Sequence, residues 1–145
     1  MSDMTSATIL TRSVRTALIA LVIGCAGSTG DRVKTYSVSG NIYVNGQPAA
    51  GAVVECYALD DPALLPLRPH AIAGLDGTFK LTTYKTGDGA PVGSYALTVK
   101  WPTPPRPNKE TGVDRLNGRY ADPKRPARRI KVQPSDNDLE TIDLK

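Results

Sequence analysis

Histidine is almost missing from this chain: of 145 residues, only His70 carries an imidazole. A metal centre built on several histidines is therefore excluded, as is any catalytic dyad that His70 does not itself join. Cysteine occurs twice, at Cys25 and Cys56, too rarely for a disulfide framework. With one Trp, one Phe and six Tyr, no aromatic row of the kind that stacks single-stranded nucleic acid accompanies the basic residues, where Tyr120 is alone. The apolar stretch from Thr16 to Gly24 rises only about 14 Å as a helix, too little to cross a bilayer. Gly87-Asp88-Gly89 lacks both a Walker lysine context and EF-hand spacing, so it reads as a turn.

Glycine and proline are what the chain has in quantity, with 13 and 12 copies. That share favours a turn-rich β protein over a helical one. The length suits one domain, and 40% hydrophobic residues suffice for one small core.

The amino terminus has the layout of an export signal. Arg12 and Arg15 precede the apolar stretch, and Cys25 follows it at once. Val22-Ile23-Gly24-Cys25 resembles the bacterial lipobox. The resemblance implies a signal peptide over 1–24, cleavage before Cys25, a diacylglyceryl group on its thiol, and a membrane held through that lipid. Several acyl chains anchor stably where one would not. Residues 25–35 are small and polar and read as a tether, with the domain filling 36–145. Ala26 after the cysteine favours, by the same resemblance, the outer membrane of a bacterial envelope, facing the periplasm or the cell surface.

From Tyr36 the pattern is that of strands. Val38, Gly40, Ile42 and Val44 alternate against Ser39, Asn41 and Tyr43, and Asn45-Gly46 supplies a turn. Ala52 to Leu59 is apolar on both faces apart from Glu55, as a central strand would be. This setting predicts a buried, structural Cys56. Prolines delay the next strand until His70 to Ala73, and Phe79 and Leu81 mark another. The clearest strand sets Tyr95, Leu97, Val99 and Trp101 inward against Ser94, Ala96, Thr98 and Lys100, with Trp101 capping the core edge. Residues 102–127 hold six prolines and no period, a long loop of the functional or mobile kind. Ile130 and Val132, then Ile142 and Leu144, close the pattern. Seven short strands predict an all-β, antiparallel seven-stranded β-sandwich with Greek-key connections.

Val38-Ser39-Gly40, Asn45-Gly46-Gln47-Pro48 with Gly51-Ala52-Val53-Val54, Asp76-Gly77-Thr78-Phe79 and Gly93-Ser94-Tyr95 resemble the carboxypeptidase regulatory-like domain. That domain is a transthyretin-like, or prealbumin-like, sandwich. Thr82-Thr83-Tyr84-Lys85, Trp101-Pro102 and Leu116-Asn117-Gly118-Arg119-Tyr120-Ala121-Asp122-Pro123 resemble the small lipoproteins of this fold found in planctomycete bacteria. The resemblance carries no catalytic residues. Two enzyme classes of related folds also fit poorly: intradiol dioxygenases hold iron through two Tyr and two His, and transthyretin-like hydrolases of purine breakdown need more than one His and a terminal Tyr-Arg-Gly-Ser run. This chain has one His and ends Thr141-Ile142-Asp143-Leu144-Lys145.

Charge is unevenly spread. Lys100 to Lys131 holds ten cations and three acids, while the rest of the chain from Cys25 sums to −4. Such a basic pole attracts an anionic polymer, lipid headgroups or an acidic protein surface. The plainer expectation pairs Arg115 and Arg119 with Asp114 and Asp122 and leaves Arg128 and Arg129 solvated on an edge strand. Asp60, Asp61 and Asp76 read as solvated turn carboxylates rather than a calcium site. The expected function is therefore a non-enzymatic envelope lipoprotein that mediates binding or assembly, needing no cofactor or metal and binding no nucleic acid. Its candidate binding residues are Trp101, Arg115, Arg119, Tyr120, Arg128 and Arg129. The alternative is a carbohydrate or wall-polymer module with Trp101, Tyr84 and Tyr120 as stacking platforms. An envelope protein or a polysaccharide would accordingly be the partner.

Overall fold

The alternation that begins at Val38 becomes a strand whose every second side chain is buried, and the rest of the molecule is laid around it. The computed structural model describes residues 30–109 and 112–145. The signal peptide 1–24, the lipidated Cys25 and the first part of the tether, all expected from the sequence, lie outside the described residues. Arg32–Lys145 is one compact unit.

Its strands are β1 (Thr35–Tyr36), β2 (Val38–Val44), β3 (Gln47–Pro48), β4 (Val53–Ala58), β5 (His70–Ile72), β6 (Thr78–Lys80), β7 (Ala90–Pro91), β8 (Gly93–Lys100), β9 (Arg128–Val132), β10 (Asn137–Asp138) and β11 (Ile142–Leu144). A single 3-10 turn, Pro62–Leu64, is capped by the Asp61 carboxylate on the Ala63 amide. Prolines at 62, 66 and 69 keep this stretch from pairing until β5.

One sheet is organised on β2, with β3 and β6 antiparallel to it and β10 and β11 parallel. The other runs β5-β4-β8-β9, antiparallel throughout. A short β1–β7 pair closes one end. Val38, Ile42 and Val44 of the first sheet and Val54, Leu97 and Val99 of the second belong to one buried cluster. Two sheets sharing one core make the layout of a β-sandwich. Each such side chain, fully buried, contributes about 1.5–3 kcal/mol. Gly40 lies where a Cβ would press on the Phe79 ring at 2.9 Å, so this strand position must stay bare for β6 to pack.

Two expectations change. The described residues are all-β, but among them there are eleven short strand segments rather than seven, and the closing strands are not antiparallel. After β9 the chain crosses from one sheet to the other. It therefore enters beside β2 running in the same direction, with Ile142 opposite Ile42 and Leu144 opposite Val44. Likewise Ala96 and Thr98, expected to face outward from β8, are buried. Ala96 stands in one cross-strand row between Tyr57 and Arg129, whose larger side chains shade it, and the Thr98 hydroxyl donates to the Glu55 carbonyl at 3.2 Å.

Candidate functional site

The proline-rich segment after β8 has no strand of its own, so its backbone groups need other partners. Asp114 supplies several. Its Oδ1 accepts from the Trp101 and Leu116 amides at 2.8 and 3.0 Å, and its Oδ2 accepts from the Gly118 amide at 2.9 Å. Burial raises the Asp114 carboxyl, yet these amides, with Lys100 nearby, outweigh it and leave the group below its ordinary value of 3.8. Asn117 and Gly118 take positive φ to make the turn that follows, which brings Leu116 into the core. Backbone bonds from Val99 to the Tyr120 carbonyl, from Arg115 to that of Trp101 and from Ala127 to that of Leu97 fasten the segment along β8.

The fastened segment forms one wall of a cleft of about 500 Å³ on the outer face of the second sheet. Val53 and Glu55 of β4 and Lys100 of β8 lie on one side, and Pro102, Pro105 and Asp114 on the other. Most of the cleft's exposed surface is apolar, with Val53, Pro102 and Pro105 contributing to it, although Glu55, Lys100, Thr103 and Asp114 also line it. Lys100 and Glu55 pair at 3.7 Å, with the Tyr57 hydroxyl donating to Glu55 at 3.3 Å. Such a surface suits binding of an apolar group beside a charged one. Sequence reading missed this cleft: Val53, Glu55 and Lys100 are ordinary strand residues, and no periodicity announces that a distant loop will lie over them.

The sequence-selected residues do not form one site. Trp101 is half-buried, its indole N–H donates to the Ala50 carbonyl at 2.9 Å, and the Arg115 guanidinium lies 4.7 Å from the ring centre. Arg119 stacks on Tyr120 at 5.8 Å and donates to the Lys145 carbonyl, as does the Tyr120 hydroxyl. Tyr84 lies at the other end of the sandwich, in the turn held by Asp88, beneath Arg32. Three rings in one platform are thus not found. The expected pairing of Arg115 and Arg119 with Asp114 and Asp122 is also corrected. Asp114 is taken up by amides, and Asp122 meets Arg125 at 3.6 Å because that residue lies one turn on. Arg128 binds Glu140 through both its carbonyl and its carboxylate, so Arg129 alone of that pair is solvated.

Nucleophiles are placed for structure. Cys56 is fully buried, and burial, with Glu55 beside it, pushes its thiol up to about 12. His70 is exposed, with Nδ1 3.0 Å from the Arg68 carbonyl. Asp88 accepts from the Thr83, Tyr84 and Lys85 amides, and Asp76 from the Thr78 amide and hydroxyl. Among the described residues no three His, Cys, Asp or Glu side chains gather as a metal site would require.

No family model matches the chain, and no curated protein matches it. Among solved structures it is similar to a DUF3823 family protein from Parabacteroides merdae, at 14% identity and a TM-score of 0.43, over 77% of this chain and 46% of that one. A 9R-lipoxygenase from Cyanothece gives 14% identity and 0.40, over 77% of this chain and 16% of that one. The dioxygenase domain of a dioxygenase carbohydrate-binding protein fusion from Streptomyces gives 16% and 0.40, over 81% and 84%. This chain thus spans less than half of the first of these proteins, and none of the three scores carries an argument about what it does.

Proposed function

We propose that this chain is a non-enzymatic envelope lipoprotein, a transthyretin-like sandwich tethered through Cys25, whose domain binds another envelope component. The observation that carries the binding reading is the cleft walled by Pro102, Pro105 and Asp114. There, Asp114 spends its carboxylate on backbone amides and so holds Pro102 and Pro105 over Val53 and the Lys100–Glu55 pair. The cleft's largely apolar surface favours an apolar side chain of a protein partner over a sugar ring. Trp101 supports the same choice, because its N–H is bonded internally and one ring face is covered by Arg115. The non-enzymatic reading is supported by a Cys56 that stays a thiol at neutral pH and a His70 held to a backbone carbonyl.

Two measurements test this. Intact mass of the protein from native membranes is expected to equal residues 25–145 plus acyl chains, and to lose the lipid in Cys25→Ser. A photo-crosslinking residue at position 105 is expected to give one discrete protein adduct in cells, lost in Lys100→Glu and not formed from position 80 on β6. Turnover in an unbiased hydrolase screen, abolished by a point substitution in the domain, would sink the non-enzymatic reading. Equal adducts from both positions would remove the cleft.

A further inference from the structure

The outermost strands of a sheet have backbone groups on one side that their own sheet cannot pair, and β9 is such a strand. The Leu59 amide donates to the Ser94 carbonyl at 3.0 Å, so Ser94 turns its backbone groups toward β4. Tyr95 therefore turns toward β9, as Leu97 and Val99 do in bonding Ala127 and Tyr120, and Ile130 opposite Tyr95 turns back toward β8. The amides and carbonyls of Arg129 and Lys131 are thus directed away from the sheet, and among the described residues no hydrogen bond reaches them. At the other edge of this sheet, the His70 amide and carbonyl on β5 both bond to Thr82. The side chains of Arg129 and Lys131 stand exposed on the outer face, while Ile130 and Val132 are buried. Among the described residues neither cation meets a carboxylate or a ring, whereas Arg32, Arg68, Arg115 and Arg119 are stacked and Arg125 and Arg128 are paired. Their cross-strand neighbours on β8, Ala96 and Ser94, are neutral. Asp60 lines the same groove, but it follows Leu59 across β8 from them, and Asp136 is exposed in the turn beyond Val132.

We propose that β9 accepts an added strand: an extended acidic segment of a partner protein, bonded in the plane of the sheet to the Arg129 and Lys131 backbone, with two acidic side chains, two residues apart, beside the two cations. Side chains directly opposite in such a pair have Cβ atoms about 4.5–5.5 Å apart, so Arg129 and Lys131 are the nearest charges an added strand meets. Cations on an edge strand ordinarily discourage pairing. Here they rise from the face of the sheet and leave the in-plane groups clear. They therefore turn away a basic strand, β9 of a second copy included, and favour an acidic one. The rim of the other sheet selects the opposite way, because β10 and β11 expose Asp138 and Asp143 there. No residue lining the cleft takes part, so this surface and the cleft stand or fall separately.

The test titrates the full chain into fluorescent hexapeptides and reads anisotropy. Thr-Glu-Val-Glu-Val-Thr is expected to bind at least about tenfold more tightly than its counterpart with Lys in place of Glu. Two further acidic peptides are N-methylated, one on its Glu and one on its Val residues, and one of the two is expected to lose about tenfold because it can no longer donate to β9. The bound acidic peptide is expected to slow amide exchange at Arg129 and Lys131 about tenfold and to leave Asn108 unchanged. Arg129→Glu with Lys131→Glu, both at exposed positions, is expected to reverse the preference between the acidic and basic peptides, while Lys100→Glu in the cleft leaves it as it was. No acidic preference up to about 1 mM peptide would overturn the proposal. Acidic binding that neither N-methylated peptide weakens would overturn it too, since charge alone would then hold the ligand, as it would an anionic polysaccharide. Self-association of the chain, abolished by the double substitution, would assign β9 to a second copy instead of a partner.

Discussion

A single carboxylate decides the course of the longest irregular segment. Asp114 satisfies three amides that no strand could satisfy, so Asp114→Ala is expected to cost about 1–3 kcal/mol, against less than about 1 for Arg115→Ala, in urea denaturation. Equal costs would mean that the stacked guanidinium, not the carboxylate, holds the segment. Asp88 acts in the same way on the Thr83–Lys85 amides; burial raises it, and the amides more than compensate, so it too lies below 3.8. For a carboxyl whose folded value is lowered, the stabilisation is complete above the unfolded value and fades as pH falls through the folded one. Tm is therefore expected to fall steeply below about pH 4, and to fall less steeply in Asp88→Asn and Asp114→Asn, whose titration no longer contributes. Gly89 is a third such position: at φ +85° its hydrogen faces the Tyr36 carbonyl, where a Cβ would collide with backbone. Gly89→Ala is expected to lower Tm by several degrees, because the β1–β7 pair must part to admit it.

At the scale of elements, the legible features were those encoded in short windows. β2 declared its inward face through Val38, Ile42 and Val44, and the turns at Asn45-Gly46 and Asp76-Gly77 declared themselves through residues that tolerate positive φ. The shading of Ala96 was not legible, because it depends on which side chains stand opposite on two other strands. Nor was the fate of Asp114. Sequence spacing shows a carboxylate beside two arginines, and only the fold shows that amides reach it first. The cleft is invisible for the same reason, since Val53 and Glu55 lie about fifty residues from Pro102 and Pro105 along the chain. Residues 102–127, expected to form a long loop of the functional or mobile kind, divide in two. Hydrogen exchange is expected to be slow at Arg115 and Ala127, whose amides are bonded to the Trp101 and Leu97 carbonyls, and fast at Arg106 and Asn108, which are exposed. Uniform exchange across the whole segment would show that the Asp114 clasp opens as readily as the tip.

For the molecule as a whole, the sheet built on β2 depends on strands about a hundred residues away in the sequence. Ile142 and Leu144 are each 4% exposed and add to the core beside β2. Ile142→Ala and Leu144→Ala are expected to cost about 2–5 kcal/mol each, as much as a change in the middle of the chain. A cost below about 1 kcal/mol in both, by denaturant titration, would mean that the sandwich is complete without β11.

That parallel partnership also sets a schedule. Asn137 bonds to Ser37 across 100 residues, and β2 has its β10 and β11 neighbours only after residues 137–144 have been delivered. A chain emerging from a ribosome amino terminus first has one side of β2 unmatched until residues 137–144 arrive. Its apolar faces must meanwhile be kept from other chains. Premature folding is thereby disfavoured by topology alone, a property of direct use to any protein that has to pass through a narrow channel before it takes its shape.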